Sequence, residues 1–357
     1  MSKTKIGIVI GRFQPVHEGH MQLFREASEN SDHLLIMVGS ADEPRSPKNP
    51  FTYFERMILI SSCIELTAPE IDNGRICKLR DFPYDNTRWI SEVRRQIAET
   101  FKDDVFDFNN VQITIFGFDK DASSFYLRLF PDFKYHACGM TIANEDELMS
   151  STVIREHLFG ITPRPECLNW IPSEFARTRI ETLALSPEFD ELRNEIQFAQ
   201  EYRARWAGSP FPPIFVTTDA VVVQSGHVLL IRRKDYPGKG LWALPGGFLG
   251  QTETIIDAAI RELVEETSIK LQPEVLERCI VDERVFDRAG SFRSFESRGR
   301  IITHAFLLRL NDFKPLPKVK ADSDAAEVRW VPLSDLRRSE MYSDHYHIIG
   351  SFVQIPG

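Results

Sequence analysis

Between residues 6 and 118, short apolar runs take turns with amphipathic stretches. IGIVI (6–10), HLLIMVGS (33–40) and VQITIFGF (111–118) have the length and near-continuous hydrophobicity of buried strands, and each leads into glycine or another small residue. MQLFREASEN (21–30) and FTYFERMILISSCIEL (51–66) carry apolar residues at helical spacing. Strands that alternate with helices form a parallel sheet with helices on its faces, because parallel neighbours need a long crossover. Ligands of such sheets gather at the carboxyl ends of the strands, which is where GRFQPVHEGH (11–20) falls.

A chain of 357 residues exceeds one ordinary core, so two domains are expected. From about residue 163 to 213 the pattern becomes charged and helical, without strand signals, and proline and glycine cluster in GSPFPP (208–213). Beyond it, IFVTTDAVVVQSGHVLLIRR (214–233) alternates like a hairpin broken at SGH. A helix over 254–267 and strands at RIITHAFLLRL and VRWVPL follow, which suggests α+β. The expected division is an α/β domain over 1–175, a helical linker over 176–210 and a second domain over 211–357.

A net charge of −9 argues against generic binding to nucleic acid or to an acidic membrane surface. The five cysteines show no CxxC spacing, so neither zinc ligation nor a disulfide framework is expected, and free thiols suit a reducing compartment. No stretch could span a bilayer and the N-terminal apolar run is short for a signal peptide, so a cytoplasmic protein is expected. A homo-oligomer is left open.

Strand, tight turn and HxGH at a helix start form a phosphate-handling arrangement. Gly19 permits close backbone approach, and the helix N-terminus offers N–H donors and the positive end of its dipole. His17 and His20 lie at i and i+3, facing one way from the first turn. Further along, KNPFTYFER (48–56) supplies a cation and a helix start, GFDKDASSFY (117–126) follows a strand, and MSSTVIREHLF (149–159) places hydroxyls before Arg155.

Together these segments resemble the HIGH-type nucleotidyltransferases, specifically the archaeal-type nicotinamide mononucleotide (NMN) adenylyltransferases, over roughly residues 5–160. The resemblance implies a Rossmann-like domain that joins ATP and NMN into NAD with release of pyrophosphate. It also implies catalytic roles for His17, His20 and Arg155. ATP and its phosphates would be held by Gly11, Arg12, Phe13, Lys48, Asp119, Lys120, Ser151, Thr152 and Arg155. Asp81 and Trp89, in DFPYDNTRW, match positions at which the family holds the nicotinamide by polar contact and ring stacking. Phe118 departs from the histidine many relatives carry. Lys48 stands for the usual arginine before NPFT, replacing a bidentate clamp with a point charge.

The second half contains Gly247, Glu253, Arg261, Glu262, Glu265 and Glu266 at the spacing GX5EX7REUXEE, with Leu263 as the apolar position. Residues 262, 265 and 266 share one helical face. Carboxylates this close repel unless a hard divalent cation compensates, and Mg²⁺ or Mn²⁺ prefers such oxygen ligands together with substrate phosphates. Arg261 can orient a glutamate bidentately.

This spacing resembles the Nudix box, and residues 211–345 resemble a Nudix hydrolase domain, a mixed-sheet α/β/α sandwich. The resemblance implies metal ligation by Glu262, Glu265 and Glu266, with Glu262 and Glu266 catalytic. Ser268 stands where the box has the glycine that closes the helix with positive φ. Both modules in one chain resemble the bifunctional NMN adenylyltransferase/ADP-ribose pyrophosphatases of bacteria, which implies ADP-ribose hydrolysis to AMP and ribose 5-phosphate. Arg298 and Arg300 are candidates for the diphosphate or the terminal ribose; Glu266, Glu296 and Glu327 remain alternatives for the general base. Two rivals stay open: another adenylyl acceptor, such as nicotinate mononucleotide or pantetheine phosphate, and a Nudix module that acts on another dinucleotide or only senses nucleotide.

Overall fold

A computed structural model describes residues 3–104, 110–118, 127–139, 142–144, 147–287, 298–322 and 324–356. The chain divides into two compact units, 1–45 with 49–191, and 46–48 with 192–357.

In the first unit, β1 (Thr4–Gly11), α1 (Glu18–Glu29), β2 (His33–Val38), α2 (Tyr53–Thr67), β3 (Gly74–Lys78), α3 (Asn86–Thr100), β4 (Val111–Gly117) and β5 (Lys134–Ala137) build a five-stranded sheet. Its order is β3-β2-β1-β4-β5, and every pairing is parallel. The expected parallel sheet is therefore present. Its three central strands are the three apolar runs of the sequence. Ile6, Ile8, Leu35, Met37 and Ile115 pack on one face with Val93, Ile97 and Phe101, from α3 and its end. A two-strand ladder, β6 (Ile142–Asn144) and β7 (Glu147–Leu148), precedes α4 (Ser151–Leu158), α5 (Glu174–Ala184) and α6 (Pro187–Ala204). The division between units falls within α6.

The second unit holds β8 (Ile214–Gln224), β9 (His227–Arg233), β10 (Trp242–Ala243), β11 (Gly246–Phe248), α7 (Ile255–Thr267), α8 (Pro273–Glu277), β12 (Ile280–Asp287), β13 (Arg300–Arg309), β14 (Ala325–Pro332) and α9 (His345–Phe352). Strands β8 and β9 form the hairpin expected at SGH: Ser225 and Gly226 both take positive φ, which a tight hairpin turn needs. The seven-stranded sheet is mixed, with β13 parallel to β8 and the other pairings antiparallel. Ala259 and Leu263 of α7 pack on Ala220 and Val222 of β8, which fixes the helix over that strand. Thr254 starts α7 as a reciprocal capping box with Asp257.

Candidate active sites

In the first unit the turn after β1 is the organising element. Phe13 takes φ 51°, an uncommon left-handed value for a bulky side chain, and turns its ring back over Gly11, where a Cβ would lie 2.7 Å from ring atoms. His17 is the N-cap of α1, with extended backbone rather than a place in the first turn. Its backbone N–H donates to His20 Nδ1 at 3.2 Å, and the two ring centroids are 3.8 Å apart. A neutral His20 making this bond carries its proton on Nε2, which suits donation to a phosphate oxygen. His17 is buried and His20 half-buried.

Two further segments lock onto the same turn. The Gln14 amide exchanges two hydrogen bonds with the backbone of Phe51, at 2.9 and 3.0 Å. Arg155 of α4 donates to Gln14 O at 2.9 Å and to Thr152 Oγ1 at 3.2 Å, while Ser151 Oγ donates to Pro15 O at 3.0 Å. The HxGH and SSTVIR segments, more than 130 residues apart, thus meet at one turn. Arg12 reaches Asn49 Oδ1 at 3.2 Å. Asp81 accepts from the Ser40 hydroxyl at 2.6 Å, beyond the end of β2. Trp89 lies on α3, half-buried, with its ring 5.8 Å from that of Phe130. Phe118 directly follows β4; Asp119 and Lys120 lie outside the described residues. Lys48 is half-buried in the 46–48 segment grouped with the second unit.

Sequence reasoning passed over Arg56. Its guanidinium is 1% exposed and donates to the carbonyls of Arg12 and Gly39 at 2.7 Å, of Ser40 at 3.0 Å and of Thr52 at 3.3 Å. Desolvation, then the neighbouring Arg12 charge, lowers it to about 10, so it stays protonated at neutral pH. A single buried cation therefore ties the ends of β1 and β2 to the start of α2. The signal was present: positions 56, 59, 60 and 63 are the buried face of α2, and an arginine occupies one of them.

In the second unit, Arg261 grips the loop before its own helix. Its Nε and Nη2 donate to Glu253 Oε2 and Oε1 at 2.9 and 2.8 Å, and its Nη1 donates to Glu262 and Glu265 at 2.9 and 3.0 Å. This fork and the Gly250 N–H hold the Glu253 carboxylate down at about 2. Glu266 is buried and accepts the Gly246 N–H at 2.9 Å; desolvation, then the nearby Glu262, pushes its carboxyl up to about 8. Desolvation also raises Glu262. The third member of the face, Glu265, has a side chain half exposed.

Asp219 of β8 joins this group and was not anticipated. It is 5% exposed, and burial, with Asp344 and Glu266 nearby, raises its carboxyl well above the usual range. Two glycines make the gathering possible. A Cβ on Gly246 would sit 2.5 Å from Asp219 Oδ1, and one on Gly247 would sit 2.4 Å from Glu262 Oε1. Buried carboxyls that disfavour each other's charge, with only oxygen donors, fit a hard divalent cation. His345 stays neutral under burial and accepts the Leu244 N–H on Nδ1 at 2.9 Å, bracing the strand end before Gly246.

Beside Gly247, the half-buried rings of Tyr202 and Phe248 lie nearly parallel, 13° apart with centroids at 6.3 Å. Phe215 meets both edge-on, and the Arg298 guanidinium lies 5.6 and 5.3 Å from the two ring centres. Arg300 instead pairs with Asp287. Glu327 pairs with Arg232 and Arg329 on β9 and β14, while Glu296 lies outside the described residues.

The geometry defines a nucleotidyltransferase-like unit and a carboxylate-centred Nudix-like unit. Accordingly, a cytidylyltransferase-like family model matches residues 8–157 and a NUDIX domain model matches residues 214–352. The chain is 32% identical over 156 residues to the nicotinamide/nicotinic acid mononucleotide adenylyltransferase of Acinetobacter baylyi, covering 44% of this chain and 76% of that one. It is 33% identical over 139 residues to the ADP-ribose pyrophosphatase of Methanocaldococcus jannaschii, covering 39% of this chain and 73% of the other. A crystal structure of a bifunctional NMN adenylyltransferase/ADP-ribose pyrophosphatase from Francisella tularensis, complexed with AMP and manganese, matches with TM-score 0.85, 34% identity and 98% coverage of both chains. The chain belongs to this bifunctional NMN adenylyltransferase/ADP-ribose pyrophosphatase family.

Proposed function

We propose that the protein is a two-site enzyme of NAD metabolism, which makes NAD from ATP and NMN in its first unit and hydrolyses ADP-ribose in its second. The observation that carries this reading is the full-length match to the bifunctional Francisella protein, over 98% of both chains.

In the transferase, an oxygen of the NMN 5′-phosphate bonds to the α-phosphorus of ATP, the bond from that phosphorus to the bridging oxygen breaks, and pyrophosphate departs. The substrate is its own nucleophile, so the protein's part is positioning and charge stabilisation. His17, His20 and Arg12 receive the phosphates at the mouth of α1. Ser151, Thr152 and Arg155 grip the β- and γ-phosphates, with Gly11 and Phe13 shaping the turn and Lys48, Asp119 and Lys120 adding contacts. Asp81 and Trp89 hold the nicotinamide, which favours NMN as acceptor.

In the hydrolase, water adds across the P–O–P bridge to give AMP and ribose 5-phosphate. Glu262, Glu265 and Glu266, with Asp219, hold a divalent cation, for which Mg²⁺ is our choice; when bound, it neutralises the diphosphate and acidifies water. Glu253 and Arg261 keep the Glu262 carboxylate oriented. Tyr202, Phe248 and Arg298 lie beside Gly247 and offer stacking faces to the adenine of ADP-ribose. Among the described residues no helix is long and apolar enough to cross a membrane. A cytoplasmic setting, where the five free cysteines stay reduced, suits the reading.

The test is incubation of the purified chain with ATP, NMN and Mg²⁺, and separately with ADP-ribose and Mg²⁺. NAD in the first and AMP in the second are expected; absence of either product removes that half of the assignment. A panel of acceptors including nicotinate mononucleotide fixes the preference.

A further inference from the structure

We propose that Glu26, His136 and Cys138 form a binding site for a zinc-class transition-metal ion in the first unit, separate from the carboxylate centre of the second. Glu26 comes from the last turns of α1, His136 from β5, and Cys138 from just past the end of β5. One ligand atom from each lies within 4.8 Å of the other two. His136 Nε2 is 2.7 Å from Glu26 Oε1, and Phe116 packs its ring 4.9 Å from the imidazole, which holds that nitrogen towards the carboxylate.

The donor chemistry selects the ion. A thiolate, an imidazole and one carboxylate oxygen form a mixed set that suits Zn²⁺, whereas Mg²⁺ and Ca²⁺ favour oxygen alone. A tetrahedral ion with metal–donor bonds of about 2.0–2.3 Å needs donors roughly 3.3–3.6 Å apart. Glu26 Oε1 and His136 Nε2, 2.7 Å apart, must open slightly, and the Cys138 sulfur, within 4.8 Å of both, must close on them, which side-chain rotation can supply. Cys138 itself is 8% exposed, while the Glu26 and His136 side chains are 31% and 42% exposed. The ion thus has a solvent route and a fourth position open to water, with the thiolate shielded behind. On binding, the S–H bond breaks, a metal–sulfur bond forms, and the proton passes to solvent.

The placement gives the site a structural consequence. Cys138 N–H donates to Gly117 O at 2.9 Å, at the carboxyl end of β4, and α1 is the helix that opens with the two histidines. An ion here cross-links the later turns of α1 to the sheet edge.

Cobalt(II) is the probe, because thiolate-to-cobalt charge transfer marks a cysteine ligand and an all-carboxylate site cannot produce it. Metal-free full-length protein titrated with Co²⁺ should develop this near-ultraviolet band to a plateau, and added Zn²⁺ should abolish it. The band should vanish in Cys138→Ser, persist in Cys279→Ser, and need roughly tenfold or more cobalt in His136→Ala. Glu262→Gln should leave it unchanged. Should Cys138→Ser lose its unfolding transition, His136→Ala decides by the same band. Absence of the band in the unsubstituted chain, or its survival in a folded Cys138→Ser, overturns the proposal.

Discussion

Glu266 Oε2 accepts the backbone N–H of Gly246 at 2.9 Å, so the strand that carries the glycine pair and the helix that carries the glutamates are fixed to each other by a buried carboxylate. Gly246 in turn has Thr218 O where its Cβ would be, 2.1 Å away. The closeness of strand and helix is what brings Asp219, Glu262 and Glu266 together.

Gly247→Ala tests that closeness. The new methyl would lie 2.4 Å from Glu262 Oε1, and the carboxylate must move. ADP-ribose hydrolysis should fall by on the order of tenfold to a hundredfold while NAD formation is unchanged. Steady-state rates of both reactions on one preparation provide the check, and an unaltered hydrolase would show that Glu262 is not held in place by this contact.

A pH dependence follows from the raised carboxyl of Glu266. Its folded value of about 8 lies above the ordinary 4.5, so the folded state binds the proton more tightly than the unfolded one. Stability from this group is therefore complete below about pH 4.5 and is lost as pH rises towards 8. Asp219, also raised, acts in the same direction. Metal-free protein should lose stability across that window, Glu266→Gln should flatten part of the loss, and divalent cation should oppose it by binding the charged form. Denaturant unfolding at a series of pH values in chelator reads this directly; coincident profiles for the two proteins would refute the assignment.

In the first unit the strands that the sequence revealed were the central ones. β1, β2 and β4 are covered on both sides and read as continuous apolar runs, whereas β3 and β5 are the two sheet edges, partly exposed, and their sequences GRICK and KYHA carry no such run. The box of glutamates was legible because a helix fixes its spacing. Asp219 was not, since its proximity depends on pairing between β8 and β11. A carboxylate inside IFVTTDAVVV was nonetheless a hint, aspartate being depleted in strands. The aromatic group of Tyr202, Phe215 and Phe248 joins α6, β8 and β11, and no local pattern announces it.

Arg56→Met keeps the aliphatic stem and removes the donors to four carbonyls. Those carbonyls would be left partly unsatisfied in a buried setting, and the expected destabilisation is about 3 kcal/mol or more. Calorimetric unfolding should show the loss, and NAD formation should drop more than ADP-ribose hydrolysis. Wild-type thermal stability would exclude the clamp.

Ser268 ends α7 in the left-handed region, at φ 44° and ψ 35°, where the related box carries glycine. Such a conformation costs a side-chain-bearing residue about 1 kcal/mol. Ser268→Gly should stabilise the protein by up to about 1 kcal/mol, read as a raised unfolding midpoint, with hydrolysis retained. A lowered midpoint would mean that the Ser268 hydroxyl, 3.5 Å from Asp322 Oδ2, matters more than backbone strain.

The central claim is that one chain carries two independent pyrophosphate chemistries, and paired assays on two variants test it most directly. His20→Ala should lose NAD synthesis and keep ADP-ribose hydrolysis, whereas Glu266→Gln should do the reverse. If either substitution leaves its own reaction intact, or silences both in a folded protein, the account of two separate sites is contradicted.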